Sequence, residues 1–210
     1  VLGVVDTGTR CKNKDGEAMA VPMGGFDAYI LDLTHPGARE WYKGLIQNMI
    51  NLGFSGWMAD FSEWLPPDAV LFSGEDPLVY HNTYTTDWIK LNHEAVQEAE
   101  TDREIIYFNR AGYSEVNRYA RLMWAGDQLH SYKKNDGLAS TITAMLSSGL
   151  SGIAFNHSDV GGYTSISVPI LRSIRSEDLF KRWAEVNAFM PVLRTHEGLK
   201  PNKNYQFYTD

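Results

Sequence analysis

Two carboxylates, Asp60 and Asp127, each follow a short apolar run and each stand in aromatic company, with Trp57 and Phe61 around the first and Trp124 near the second. A strand that is apolar along its length and acidic at its carboxyl end delivers charge to the mouth of a parallel sheet, where α/β enzymes keep their chemistry. A pair of such groups suits glycoside hydrolysis. One is ionised and attacks or stabilises an anomeric carbon, while the other is protonated and releases the leaving group. Aromatic walls would desolvate the acid and raise its pKa. Either aspartate taken alone fits equally well as a residue capping the turn after a strand, so the weight rests on the pair.

Other chemistries find less support. The six histidines, His35, His81, His93, His130, His157 and His196, include no HxH or HExxH spacing, so no zinc motif is present. Ser158 sits between His157 and Asp159 but lacks the Gly-x-Ser-x-Gly elbow of a serine nucleophile. Gly161-Gly162 has neither the GxGxxG pattern nor a Walker lysine. The single cysteine, Cys11, can form no disulfide within the chain and reads as a bystander thiol.

The elements that must position these groups alternate along the chain. Apolar runs predict strands over residues 1–6, 54–60, 104–109, 122–125 and 152–155, with a polar loop over 7–25, a short apolar piece at 28–33, and another at 191–193. Between them, helical periodicity runs from Pro36 to Gly53 and over 86–100, 137–148 and 177–188, with a helical turn at 115–120. Strands alternating with helices of this length imply a parallel sheet with right-handed crossovers. Five successive strands end in polar groups: Asp60 and Glu63, Arg110, Asp127, His157 and Asp159, then Arg194 and His196. A barrel gathers all strand ends on one face, whereas an open sheet concentrates ligands at one switch point. The expected fold is therefore α/β, a (β/α)8 TIM barrel. About six strands are legible, which corresponds to a truncated barrel lacking about its first two β/α units and any flanking β domains, with residues 1–210 as one partial catalytic domain.

Composition sets the outer bounds. With 210 residues, 43% hydrophobic and 12% aromatic, the chain can bury a core. A net charge of -7 argues against nonspecific nucleic-acid binding, which needs clustered lysine and arginine. No stretch approaches the roughly 20 apolar residues that span a bilayer, and the first 20 residues lack a signal-peptide layout. Both ends read as cut, which leaves localisation and oligomeric state open.

Six segments in order, GWMADFSEWLP (56–66), IIYFNRAG (105–112), LMWAGDQ (122–128), DGLAS (136–140), NHSDVGGY (156–163) and RTHEG (194–198), resemble glycoside hydrolase family 31, and within it the sulfoquinovosidase branch. The resemblance covers essentially the whole chain. It implies a retaining α-glycosidase working by double displacement on a small-molecule glycoside, with no metal and no organic cofactor.

Carried over by position, the resemblance makes Asp60 the nucleophile and Asp127 the general acid/base. A retaining pair holds its carboxyls roughly 5 to 5.5 Å apart. Arg110 and His196 correspond to residues that hold sugar hydroxyls, and Trp124 to an aromatic lining that subsite. Arg110 is also suited to keep Asp60 ionised, or alternatively to form a salt bridge with a glutamate. His157 and Asp159 are expected to hydrogen-bond hydroxyls or brace the site, with Glu63 and Trp57 standing behind the sugar-contacting groups. Tyr163 corresponds to the tyrosine that helps bind a sulfonate in that branch, although a tyrosine after two glycines is also a common packed aromatic; the branch's remaining sulfonate-binding arginine and tryptophan would lie upstream of Val1. α-Sulfoquinovosides are the expected substrates, with α-glucosides or related sugars as the alternative. A noncatalytic carbohydrate-binding barrel is the alternative of a different class, and the presence of both acids argues against it. An aldolase-like or isomerase barrel would want a strand-end lysine or a metal cluster, and neither is read at the strand ends.

Overall fold

A computed structural model describes residues 7–23, 26–168 and 171–209. The strand expected over 1–6 lies outside the described residues. The chain divides into two compact units, Val1–Ala120 and Arg121–Asp210.

Among the described residues of the first unit, a 3-10 turn over Thr7–Thr9 precedes an antiparallel pair, β1 (Ala20–Pro22) with β2 (Asp27–Tyr29), inside what the sequence suggested was loop and apolar piece. Helix α1 (Pro36–Asn51) follows, with proline in its first turn where a missing N–H costs nothing. Strand β3 (Gly56–Met58), helix α2 (Pro77–Glu98) and strand β4 (Ile106–Asn109) complete the unit, with a 3-10 turn over Val116–Arg118. Helix α2 begins nine residues before the expected Thr86 because Asp76 caps it, accepting from the Leu78 N–H at 2.9 Å with Pro77 behind it. Helices α1 and α2 meet over Ile46, Ile50 and Ala95. Charge closes the rim: Lys43 reaches Glu40 and Glu98 at 2.7 and 2.8 Å, and Arg39 reaches Glu94 at 2.7 Å. Strands β3 and β4 pair in parallel, Met58 opposite Phe108, and the Ala59 N–H donates to the Phe108 carbonyl at 2.8 Å. The ladder thus stops one residue short of Asp60.

The second unit repeats the pattern. Strand β5 (Leu122–Trp124), helix α3 (Leu138–Leu150) and strand β6 (Asn156–His157) make one parallel unit, with Trp124 opposite His157. The strand expected at 152–155 lies at 156–157 instead. Residues 151–153 are consumed in ending α3: Gly152 takes φ 86°, and the Ile153 N–H bonds back to Ser148 at 2.9 Å. Strand β7 (Asp159–Val160) then pairs in parallel with β10 (Arg194–Thr195) across a hairpin, β8 (Ile166–Val168) with β9 (Leu171–Ser173), and helix α4 (Glu177–Asn187). Helix α4 buries Leu179 and Trp183 against Leu138 and Val160.

Ser158, between β6 and β7, belongs to α4. Its hydroxyl accepts from Trp183 Nε1 at 2.8 Å and donates to Asn187 Oδ1 at 3.0 Å, while Asn187 Nδ2 donates to the Ser158 carbonyl at 2.7 Å. Ser158 is fully buried, so it is no nucleophile. Removing its hydroxyl strands an indole N–H and an amide oxygen away from water. Ser158→Ala is expected to cost about 2 kcal/mol of stability, read as a lower denaturation midpoint at unchanged denaturant slope; an unchanged midpoint would mean that Trp183 and Asn187 satisfy one another without it.

Candidate active site

In the first unit, Asp60, Glu63 and Arg110 form one charged cluster. Arg110 comes from the residue after β4, and its Nε lies 3.1 Å from Asp60 Oδ1. Its Nε and Nη2 both approach Glu63 Oε1 at 2.6 Å. The two alternatives for Arg110, a partner of Asp60 or of a glutamate, are therefore both realised. The Arg110 side chain is only 12% exposed, which strengthens each interaction relative to a surface pair.

Backbone geometry aims Asp60. Phe61 adopts a left-handed conformation at φ 60°, unusual for a residue with a bulky side chain. This turn lets the Phe61 N–H donate to Asp60 Oδ1 at 2.8 Å. It also swings the Phe61 ring beneath the Arg110 guanidinium, 5.0 Å from the ring centre. Asp60, Met58 and Phe61 face a cavity of about 850 Å³ whose lining is mostly apolar and includes Trp41 and Trp88.

Trp57 packs into the layer behind β3. As the strand neighbour of Met58 it takes the opposite side of β3, where its Nε1 donates to Asn92 at 2.8 Å and its ring stacks on Tyr107 at 5.7 Å. It joins the packing between strand and helices and also lines the cavity that Asp60 faces.

In the second unit, Asp127 follows β5 and is exposed. Its loop is tied to the Gly-Gly-Tyr turn: Thr164 Oγ1 donates to the Asp127 carbonyl, and the Tyr163 and Thr164 N–H groups donate to the Gln128 carbonyl, all at 2.9 Å. Gly162 is required there, because at φ 80° an added Cβ would lie 2.9 Å from the Gln128 carbonyl. Trp124 is buried, its Nε1 donating to Gly126 at 3.0 Å.

Asp159 and Arg194 form a pair at 2.6 Å, with the Asp159 side chain 1% exposed and the guanidinium 5.9 Å above the Trp124 ring. Burial pushes the Asp159 carboxyl up to about 6; Arg194 opposes this shift and the Asp127 charge adds to it. His157, wholly buried, is pushed down to about 4 by desolvation and then by Arg194. His196 is lowered for the same two reasons. His196 Nδ1 accepts from the Gly198 N–H at 2.9 Å, which leaves the proton of the neutral ring on Nε2. The Tyr163 ring meets His196 edge-on at 4.8 Å and 88°.

Asp60, Glu63 and Arg110 are thus brought together in the first unit. Trp124, Asp127, His157, Asp159, Tyr163 and His196 surround a second set of interactions in the other. Arg194, in sequence a polar strand end, proves to be the partner of Asp159; its place two residues before His196, on the same side of the chain, is the signal that marks it. Among the described residues, no group of three or more His, Cys, Asp or Glu side chains could hold a metal ion, and no helix is long and apolar enough to cross a membrane. Cys11 is buried, and desolvation lifts its thiol to about 12, so it is unreactive.

Comparisons with known proteins identify the family. The chain is 42% identical to a sulfoquinovosidase of Agrobacterium fabrum over 198 residues, covering 93% of this chain and 29% of the relative. It is 42% identical to the Escherichia coli sulfoquinovosidase over 204 residues, covering 97% of the chain and 30% of the relative. A solved family 31 sulfoquinovosidase from E. rectale, in complex with the aza-sugar inhibitor IFGSQ, superposes with a TM-score of 0.91 at 43% identity, over 97% of this chain and 30% of that one. The chain therefore spans less than a third of the length of these relatives. Residues 3–209 match the description "Glycosyl hydrolases family 31 TIM-barrel domain". A family match over residues 3–209 and 42% identity over 93–97% of the chain lead to one conclusion, that the chain belongs to glycosyl hydrolase family 31 and lies in its TIM-barrel domain.

Proposed function

We propose that the protein containing this chain is a retaining α-glycosidase that hydrolyses α-sulfoquinovosides. The observation that carries this reading is the Arg110 guanidinium held between Asp60 and Glu63, because a nearby, largely desolvated cation favours the anionic form a nucleophile needs. The 42% identity to two sulfoquinovosidases supports the choice of sugar.

In this mechanism a carboxylate oxygen of Asp60 attacks the anomeric carbon as the glycosidic C–O bond breaks, and protonated Asp127 gives its proton to the departing oxygen. Asp127, now ionised, takes a proton from water, which attacks the anomeric carbon and frees Asp60. Neutral His196, whose Nδ1 is taken by the Gly198 N–H, offers its Nε2–H to a sugar hydroxyl, while neutral, buried His157 braces the site. The Tyr163 hydroxyl serves as donor to the sulfonate. A second reading, hydrolysis of unsulfonated α-glucosides, is favoured by the edge-on contact of Tyr163 with His196, which gives the ring a packing role without any anion. The 210 residues alone are expected to be inactive, since they correspond to 29–30% of the relatives' length.

In the full-length protein, Asp60→Asn is expected to lower kcat by about a thousandfold or more; substantial activity in that variant would remove the mechanism. Comparison of nitrophenyl α-sulfoquinovoside with nitrophenyl α-glucoside tests the sugar. The sulfonated substrate should be preferred, and Tyr163→Phe should reduce that preference about tenfold or more, whereas equal rates in the wild type would favour the second reading.

The buried Asp159 carboxyl sets a pH dependence of stability. Its value rises on folding from 3.8 to about 6, so the unfolded chain holds the ionised form more readily. Its contribution is fully present below the ordinary value and is lost as pH rises through the folded one. Asp159→Asn should therefore flatten the decline in stability between those two values, measured by denaturation across the window. An unchanged slope would show that Arg194 compensates the charge completely.

A further inference from the structure

Arg175, between β9 and the Ser176 cap of α4, is 1% exposed and ends among neutral oxygens. Its Nε donates to the Tyr205 carbonyl at 2.7 Å. Nη1 reaches the carbonyls of Val160, Gly162 and His196 at 3.3, 3.1 and 2.8 Å, and Nη2 reaches the Glu197 carbonyl at 3.3 Å and Gln206 Oε1 at 2.6 Å. Five main-chain carbonyls and one side-chain amide thus surround it. Desolvation lowers it to about 10, and it remains a cation at neutral pH.

Burying a guanidinium among carbonyls costs several kcal/mol of desolvation that dipoles must offset. What it gains is geometry, because one rigid fork ties three chain segments, 160–162, 196–197 and 205–206. Gln206 extends the tie, its Nε2 donating to the carbonyls of Glu197 at 3.0 Å and Pro201 at 3.1 Å. Gly161 makes room: at φ 83° an added Cβ would sit 2.2 Å from Arg175 Cδ. The Gly162 carbonyl belongs to the peptide that carries Tyr163, and the His196 carbonyl to the residue whose ring Tyr163 meets.

We propose that Arg175 is a positioning residue for sugar recognition, which touches no substrate and fixes Tyr163 against His196 by clamping the two peptides that bear them. This inference rests on the sulfoquinovosidase reading for its choice of substrates. Lysine at this position keeps the charge but not the fork, because an ammonium is a compact point charge with three donors.

The test uses the full-length protein, with kcat and KM measured on nitrophenyl α-sulfoquinovoside and nitrophenyl α-glucoside for the wild type, Arg175→Lys, Tyr163→Phe and the double variant. Arg175→Lys is expected to reduce the preference for the sulfonated sugar about tenfold, through KM with kcat nearly unchanged. The double variant should discriminate no worse than Tyr163→Phe alone, since the two changes act on one contact. Equal losses on both sugars, or additive losses in the double variant, would overturn the inference. Should Arg175→Lys fail to accumulate, Gly161→Ala displaces the same side chain and must give the same split. If the wild type prefers neither sugar, the sulfonate reading fails, and Arg175 is then judged by KM on the glucoside: a raised value sustains the clamp on His196 and an unchanged one refutes it. A wild type inactive on both sugars would overturn the glycosidase reading and this inference together.

Discussion

A carboxylate can be offered at the mouth of a parallel sheet only if the ladder stops just before it and the backbone turns at once. Here the last interstrand bond beside Asp60 is made by the Ala59 N–H, and the turn falls on Phe61 at φ 60°. Had the ladder continued, the Phe61 N–H would have been drawn toward a neighbouring strand and could not have held Asp60 Oδ1. The same economy governs β5, where the Ala125 N–H bonds to the His157 carbonyl at 2.9 Å and Gly126 turns at φ 79° before Asp127. Short strands are thus a requirement of the site, and the helices around them supply the burial that three-residue strands cannot.

Charge follows from that arrangement. Groups delivered to strand ends are half out of water, so each ionised one needs a partner within reach. Arg110 serves Asp60 and Glu63 together, and Arg194 serves Asp159. The imidazoles are treated in the opposite way. Desolvation and nearby guanidinium groups hold His157 and His196 neutral, which keeps an acceptor on each ring. Cations that cluster around the carboxylates thereby also keep the histidines from competing for protons.

Much of this was legible beforehand where residue type and position coincide. An isolated aspartate after an apolar run and an arginine after the next strand sufficed to place Asp60 and Arg110, and the alternation of elements led to the barrel. Other features depend on contacts between segments distant in sequence. The start of α2 lay hidden because Asp76 and Pro77 read as loop, and the strand near 152–155 was displaced because Gly152 closes the preceding helix. Trp57 lines the same cavity as Asp60, but its bond to Asn92 and its stacking on Tyr107 could not be read from the strand alone. Arg175 carried no signal at all, since nothing in the run from Ser165 to Leu179 distinguishes a buried arginine from Arg172, which lies exposed three residues earlier.

Ser158 separates two candidate sugar-binding residues, yet its hydroxyl and carbonyl are held by Trp183 and Asn187 on α4. The outer helix therefore bears on the inner face: these bonds tie the segment that carries His157 and Asp159 to α4. Drift in the sequence of that helix is not free to proceed independently of the sugar. Relatives that shift α4 by a fraction of a turn would be expected to retune substrate handling without changing a single residue that touches it.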